Sequence, residues 1–179
     1  KKYGCDFTFK VQDEPDGIAG ALKLCEKFVG DDDVIVLLGD NIFETSLNKS
    51  IKEFNSIKKK NKKPVCLLNL IKVPDPERFG VATISKDKII KITEKPKNPD
   101  SNFCVTGIYL YDKNVFKKIN SLVKSNRGEY EITDINNFYV NECIAGYNIL
   151  EGWWTDAGTF KSYHIANKLF IKSKNYEEI

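Results

Sequence analysis

Two aspartates stand directly after signals that put a carboxylate where a ligand would meet it. Asp40 follows Gly39 at the end of Val34-Ile35-Val36-Leu37-Leu38, a continuous β-branched and apolar run that reads as a strand covered on both faces. In open α/β sheets ligands lie beyond the carboxyl ends of strands, so Asp40 is placed to hold Mg²⁺ against a triphosphate. Asp156 lies in Trp154-Thr155-Asp156-Ala157-Gly158-Thr159, ahead of a tight turn and a helix. Two carboxylates can share one divalent cation if the fold joins them, while capping of the element that follows explains either acid equally well.

Three further segments carry usable groups. Glu94-Lys95-Pro96 projects a carboxylate and an ammonium from adjacent positions, suited to a sugar hydroxyl and a sugar phosphate, or to a plain surface ion pair. The loop from Gln12 to Gly17 offers a side-chain amide and a glycine backbone that together can hydrogen-bond the edge of a pyrimidine, and a simple turn accounts for it as well. In Asp75-Pro76-Glu77-Arg78-Phe79-Gly80 an aromatic followed by glycine can cradle a sugar ring. His164 is the single histidine, and no Ser or Cys sits in a nucleophile elbow, which argues against acyl transfer by a triad.

The elements that must position these groups follow from periodicity. Phe7 to Val11 alternates like a half-buried strand, and Ile18, Ala21, Leu22, Cys25, Phe28 and Val29 recur at helical spacing. After the Val34 run, Leu47, Ile51 and Phe54 mark an amphipathic helix and Val65 to Leu70 another buried strand. This alternation predicts a mostly parallel sheet with helices on both faces. Past Pro76 the texture changes. Val81 to Ile84 and Ile89 to Ile92 flank Ser85-Lys86-Asp87-Lys88 as a hairpin, and Phe103 to Tyr111 reads as a strand. Helices are expected around Val115 to Val123, Ile132 to Cys143 and Phe160 to Ile171, with a short strand near Tyr147 to Leu150.

Bulk properties narrow the class. A chain of 179 residues, 41% hydrophobic, can bury a real core, and residues 1 to 179 read as one domain. No apolar run approaches the about 20 residues that span a bilayer, and Lys1-Lys2-Tyr3-Gly4-Cys5 has no signal-peptide core, so a cytoplasmic protein without a membrane partner is expected. The five scattered cysteines suit buried reduced thiols. A net charge of +3 and a lysine cluster at 58–63 without interleaved aromatics give no nucleic-acid footprint. Only Arg78 and Arg127 supply the bidentate fork that suits anchoring.

Taken in order, Val11-Gln12 with Pro15-Asp16-Gly17, Leu38-Gly39-Asp40-Asn41-Ile42-Phe43, Asp75 to Val81, Glu94-Lys95-Pro96, Val105-Thr106-Gly107-Ile108-Tyr109, Arg127-Gly128-Glu129 with Glu131 to Asp134, and Trp154 to Thr159 resemble the sugar nucleotidylyltransferases. The likeness is to the glucose-1-phosphate thymidylyltransferase type and covers nearly the whole chain. It implies a Rossmann-like three-layer α/β/α fold with an antiparallel sugar-binding insertion. It further implies transfer of a nucleotidyl group from dTTP or UTP to glucose-1-phosphate, with Mg²⁺ as cofactor and a homo-oligomeric assembly. By the same resemblance Gln12 and Gly17 contact the base, and Asp40 and Asp156 bind the metal. Phe79, Gly80, Glu94, Val105 and Tyr109 line the hexose, Lys95 meets its phosphate, and Arg127 anchors the rim. The attacking phosphate is already anionic at neutral pH, so positioning, a metal and cations suffice.

Two departures from the family pattern stand out. Gly20 occupies a position that usually carries glutamine, and no stretch reads Gly-Gly-x-Gly-Thr-Arg-Leu, the loop that cradles the triphosphate. These residues therefore read as the C-terminal two-thirds of the family domain, without its first strand and loop, and weak catalysis is expected from them alone. Two other functions compete: a non-catalytic sugar-nucleotide-binding module, and a glycosyltransferase using Asp31-Asp32-Asp33 as its metal motif.

Overall fold

A computed structural model of the protein describes residues 4–173; of the opening residues read above, 1–3 lie outside them. The elements run α1 (Ile18–Lys23), α2 (Glu26–Val29), β1 (Val34–Leu37), β2 (Asn41–Phe43), α3 (Asn48–Lys60), β3 (Val65–Lys72), a 3-10 turn (Pro76–Arg78), β4 (Gly80–Ser85), β5 (Lys88–Glu94), β6 (Phe103–Tyr111), α4 (Val115–Ile119), α5 (Ile132–Glu142), β7 (Ile144–Ile149), β8 (Trp154–Asp156) and α6 (Phe160–Ser173). Among the described residues no helix is long and apolar enough to cross a membrane.

The buried runs dictate the centre. β3 is apolar at six of its eight positions and, apart from Lys72, buried throughout, and it pairs with β6 on one side and β7 on the other. The main sheet has the order β5-β4-β6-β3-β7, and β1 pairs with β6 as well. Tyr109, Tyr111, Ile135 and Tyr139 pack with α1, α4 and α5 on one face, whereas Phe54 of α3 meets Val65, Leu67 and Leu110 on the other. Helices therefore cover both faces, giving the α/β/α layering.

The sheet is mixed. β1, β3 and β7 run in one direction, but β6 enters between β1 and β3 antiparallel to both, so only the β3–β7 ladder is parallel. The expected hairpin forms, with Lys86 (φ 48°) and Asp87 (φ 57°) supplying the two positive dihedrals of a tight two-residue turn. It extends the sheet through β4, which meets β6 at Val81 and Cys104.

Several local expectations are corrected. Phe7 to Val11 is no strand: Phe7, Phe9 and Val11 are 68%, 87% and 81% exposed, and alternation cannot make a strand without a partner to take its backbone hydrogen bonds. β1 is covered on one face only, since Ile35 and Leu37 remain 42% and 53% exposed while Val34 and Val36 face the core. The helix expected from Ile18 to Val29 breaks at Leu24-Cys25 into α1 and α2, and α4 stops at Ile119. Of the cysteines, Cys66 and Cys104 are buried, Cys25 and Cys143 half-buried and Cys5 exposed.

Candidate active site

The site opens where one edge of β6 passes from one neighbour to another. β1 pairs with residues 108–111 of that edge and β4 with Cys104, leaving residues 105–107 free of a strand. The last contact of the β1 side is Leu38 N–H donating to the Gly107 carbonyl at 2.9 Å, after which the chain turns away at Gly39 and Asp40. Asp40 therefore stands beyond the carboxyl end of a strand.

A second, two-stranded sheet brings Asp156 to it. β2 and β8 pair antiparallel with Asn41 opposite Asp156, and Ala157 N–H donates to the Asp40 carbonyl at 2.7 Å. The carboxylates converge over Gly158: a β-carbon there would lie 2.9 Å from Asp156 Oδ1 and 3.3 Å from Asp40 Oδ2. Any larger residue would push into the space between them. Gly158 N–H also donates to Asp156 Oδ1 at 2.8 Å.

Asn41, unassigned from the sequence, ties this pair to the rest of the site. Its Nδ2 donates to Asp40 Oδ1 at 2.9 Å, and its Oδ1 accepts from Gly107 N–H and from Trp154 Nε1–H, both at 2.8 Å. Trp154 in turn packs edge-on against Phe79, with ring centroids 5.4 Å apart.

Asp40, Asp156, Phe79, Gly80, Glu94, Lys95, Val105 and Tyr109 all line one cavity of about 190 Å³. The volume falls below the roughly 300–1,000 Å³ of drug-sized ligand sites, which suits one small polar ring. Its wall also includes Thr133, Asn136 and Arg78. Thr133 donates its hydroxyl to Glu94 Oε2 at 2.6 Å, fixing that carboxylate from α5. Arg78 reaches Asp75 at 2.7 Å and lies 5.1 Å from the Phe79 ring centroid. The Asp75 hydrogen bond raises its pKa, and the charge of Asp156 adds to that. Burial, reinforced by the Glu94 charge, holds the Tyr109 phenol protonated far above its usual range. Lys95 adopts φ 41° where β5 ends, its N–H donating to the Phe79 carbonyl at 3.0 Å. A lysine held in left-handed backbone costs conformational energy, a cost that recurs at functional positions.

Gln12 and Gly17 lie elsewhere, on a larger apolar cavity of about 620 Å³ whose wall shares Ile18 and Leu38 with the first. The two cavities thus adjoin at those two residues. Arg127 lines neither cavity. Its guanidinium grips Glu131 (3.1 and 2.8 Å) and Glu129 (3.1 Å), bracing the loop before α5. Burial raises the Glu131 pKa, but the Arg127 and Ser125 hydrogen bonds outweigh it and leave it below the ordinary carboxylate range. Asp31 and Asp33 are engaged by Lys113 and Lys58, each at 2.7 Å, at the other end of β1 from Asp40, which speaks against a metal motif there.

Among the described residues no group of three or more His, Cys, Asp or Glu side chains could hold a metal. Two convergent carboxylates are nonetheless a set that fits Mg²⁺, which is commonly bound through one or two carboxylates, with water and substrate phosphates completing its shell.

The chain is 34% identical over 181 residues to glucose-1-phosphate thymidylyltransferase of Neisseria meningitidis serogroup A, an alignment covering 99% of this chain and 61% of that protein. It thus spans about three-fifths of that relative's length. Among solved structures it superposes with a TM-score of 0.85 and 52% identity on a Bacillus anthracis protein, designated a glucose-1-phosphate thymidylyltransferase and crystallised with sucrose, covering 94% of this chain and 66% of that one. A UDP-glucose pyrophosphorylase without ligand shares the fold at a TM-score of 0.82 and 19% identity. The family model for nucleotidyl transferases matches residues 1–173, and with the site in place the chain belongs to the nucleotidyl transferase family.

Proposed function

We propose that the full-length protein transfers a nucleotidyl group from dTTP or UTP to glucose-1-phosphate, releasing pyrophosphate in the cytoplasm. The observation that carries this reading is the meeting of Asp40 and Asp156, distant in sequence, in the wall of a cavity that also presents Glu94, Lys95 and Tyr109. The names of the relatives supply the substrate class.

In the reaction a phosphate oxygen of the sugar phosphate bonds to the α-phosphorus as the bond from that phosphorus to the β-phosphate oxygen breaks. The nucleophile is already an anion, so no general base is required. Glu94, held by Thr133, accepts a hydrogen bond from a sugar hydroxyl, and Phe79, Gly80 and Val105 shape the ring's surroundings. Lys95 places positive charge beside the sugar phosphate and lowers its repulsion from the triphosphate. Asp40 and Asp156 would hold Mg²⁺, which when bound neutralises charge on the phosphates. Gln12 and Gly17 meet the base on the larger cavity.

Pyrophosphate release from dTTP or UTP with glucose-1-phosphate and Mg²⁺ tests the proposal. Asp40→Asn should abolish turnover while Asp32→Asn leaves it nearly intact. No release by the full-length protein refutes nucleotidyl transfer, and the reverse pattern of the two variants favours the glycosyltransferase.

A further inference from the structure

Asn69 interrupts the apolar run of β3 and is fully buried. An enclosed amide costs desolvation that leucine in its place would avoid, so its hydrogen bonds must account for it. Nδ2 donates to the Ile108 carbonyl at 3.1 Å, and that pure acceptor fixes which end of the amide faces β6. Oδ1 accepts from the hydroxyl of buried Ser50 in α3 at 2.6 Å, and the same hydroxyl accepts from Asn148 Nδ2 of β7 at 3.1 Å. The Asn69 carbonyl accepts from the Thr106 hydroxyl at 2.8 Å. Asn69 thus grips β6 on both sides of Gly107.

That grip falls where β6 carries two residues more than its partner. Tyr109 stands opposite Leu68 and Val105 opposite Leu70, so Thr106, Gly107 and Ile108 share the place of Asn69 alone. Four steps of extended strand cover roughly 13 Å, whereas the partners of residues two apart stand roughly 7 Å apart. The bulge therefore draws Val105 and Tyr109 together, and an excess of two, being even, keeps both on one face. They pack there with Leu68 and Leu70, and both line the cavity of about 190 Å³. Asn69 lies outside its wall, with its side chain turned to α3 on the other face of the sheet. On the opposite edge of β6 the Gly107 carbonyl accepts from Leu38 N–H at 2.9 Å and its N–H donates to Asn41 Oδ1 at 2.8 Å. The bulge is pinned from both edges.

Resting on the nucleotidyl-transfer reading, we infer that Asn69, oriented by Ser50, is a positioning residue for the sugar-phosphate half of the site. It touches no substrate. By closing the bulge around Gly107 it sets the separation of Val105 and Tyr109, and with it the width of the cavity that takes the sugar ring. The larger cavity, where Gln12 and Gly17 stand, is lined by none of residues 105–109. The device therefore acts on the sugar phosphate and not on the nucleotide.

Pyrophosphate release by the full-length protein, with KM measured separately for glucose-1-phosphate and UTP at saturating Mg²⁺, tests the inference. Asn69→Leu keeps the bulk and loses both side-chain hydrogen bonds. Its kcat/KM for glucose-1-phosphate should fall roughly ten-fold, chiefly through KM, while KM for UTP stays within about two-fold of wild type. Ser50→Ala, which frees the amide without removing it, should raise the same KM roughly three-fold. Because Ser50 acts through Asn69, the double variant should be no worse than Asn69→Leu, and additive losses overturn the inference. A merely structural role would lower the active fraction, and with it kcat, leaving both KM values alone. Unchanged KM values, or equal shifts for the two substrates, therefore overturn the inference as well. If Asn69→Leu does not fold, Ser50→Ala reads the same quantity. Wild type inactive with dTTP and UTP refutes the nucleotidyl-transfer reading and the inference with it, whereas an active wild type whose KM for glucose-1-phosphate ignores both variants refutes the inference alone.

Discussion

Replacing Asn41 with alanine removes the side chain that joins the acid pair to the sheet and to the aromatic wall. Gly107 N–H and Trp154 Nε1–H lose their shared acceptor, each bond 2.8 Å long. Gly107 is buried and Trp154 half-buried. A donor stranded away from water costs about 1–3 kcal/mol, and partial access of water at the indole puts that one at the low end. Together the loss is about 2–4 kcal/mol. At about 2–4 °C per kcal/mol for a chain of this size, Tm should fall by roughly 5–15 °C. Asn41→Asp separates structure from chemistry, because its carboxylate still accepts from both donors but sets a like charge beside Asp40 where Nδ2 had donated at 2.9 Å. Its Tm loss should be less than half that of the alanine variant, while pyrophosphate release falls at least as far. Differential scanning calorimetry on the full-length protein, with the release assay, measures both. An alanine variant melting within about 1 °C of wild type would refute the three-bond account.

Gly107→Ala should also destabilise, since its β-carbon would sit 2.6 Å from Asn41 Nδ2 and 2.7 Å from Leu38 side-chain atoms in a packed strand. Overpacking of that kind costs about 1–3 kcal/mol, readable as a lower urea midpoint. With a thiol reagent at pH 8, exposed Cys5 should react first and Cys5→Ser should remove the fast phase, while Cys66 and Cys104 stay silent until unfolding. Burial pushes the Cys104 thiol up to about 12 and Cys66 well above its usual value, so neither offers thiolate. Glu131 has a folded pKa below its unfolded value near 4.5, so it contributes stability above that pH which is lost as pH falls through the folded value. Arg127→Ala should therefore flatten the fall in stability below about pH 4.5, measured by urea unfolding across pH 3–6; an unchanged slope would show that the Arg127 hydrogen bonds do not set this shift.

Much of the fold was legible because its strongest signals are local. β3 announces itself by a run apolar at six of its eight positions, α3 by its period, and the β4–β5 hairpin by two runs flanking a four-residue polar stretch. Strand direction was not legible. A buried run has the same composition whether its neighbour is parallel or antiparallel, so the insertion of β6 between β1 and β3 left no mark in the residues. The apolar run of β1 promised cover on both faces and the alternation of Phe7 to Val11 promised a strand, yet each property needs a partner that no single segment can specify. Val105 and Tyr109, inside β6, are marked only by the family resemblance, but Asp40, Asp156, Glu94 and Lys95 were individually visible at or beside element ends. Their meeting was not, because β2 and β8 are three residues each, too short for any periodicity, and their pairing is a purely long-range fact.

That short ladder also explains why the residue after Asp40 is an asparagine. Where β1 leaves the sheet, the edge of β6 loses a backbone acceptor, and an unpaired N–H at buried Gly107 would be costly. Asn41 supplies the acceptor from its side chain, at 2.8 Å, while its backbone departs to pair with β8. The same amide has a donor to spare and spends it on Asp40, so one side chain closes the open edge of the sheet and orients a carboxylate of the site. The cavity at residues 105–107 thus exists because a side chain, rather than a strand, satisfies β6 there. A backbone strand continuing from β1 to β4 would hydrogen-bond the edge equally well, but it would fill the space in which Glu94, Lys95 and the two aspartates converge.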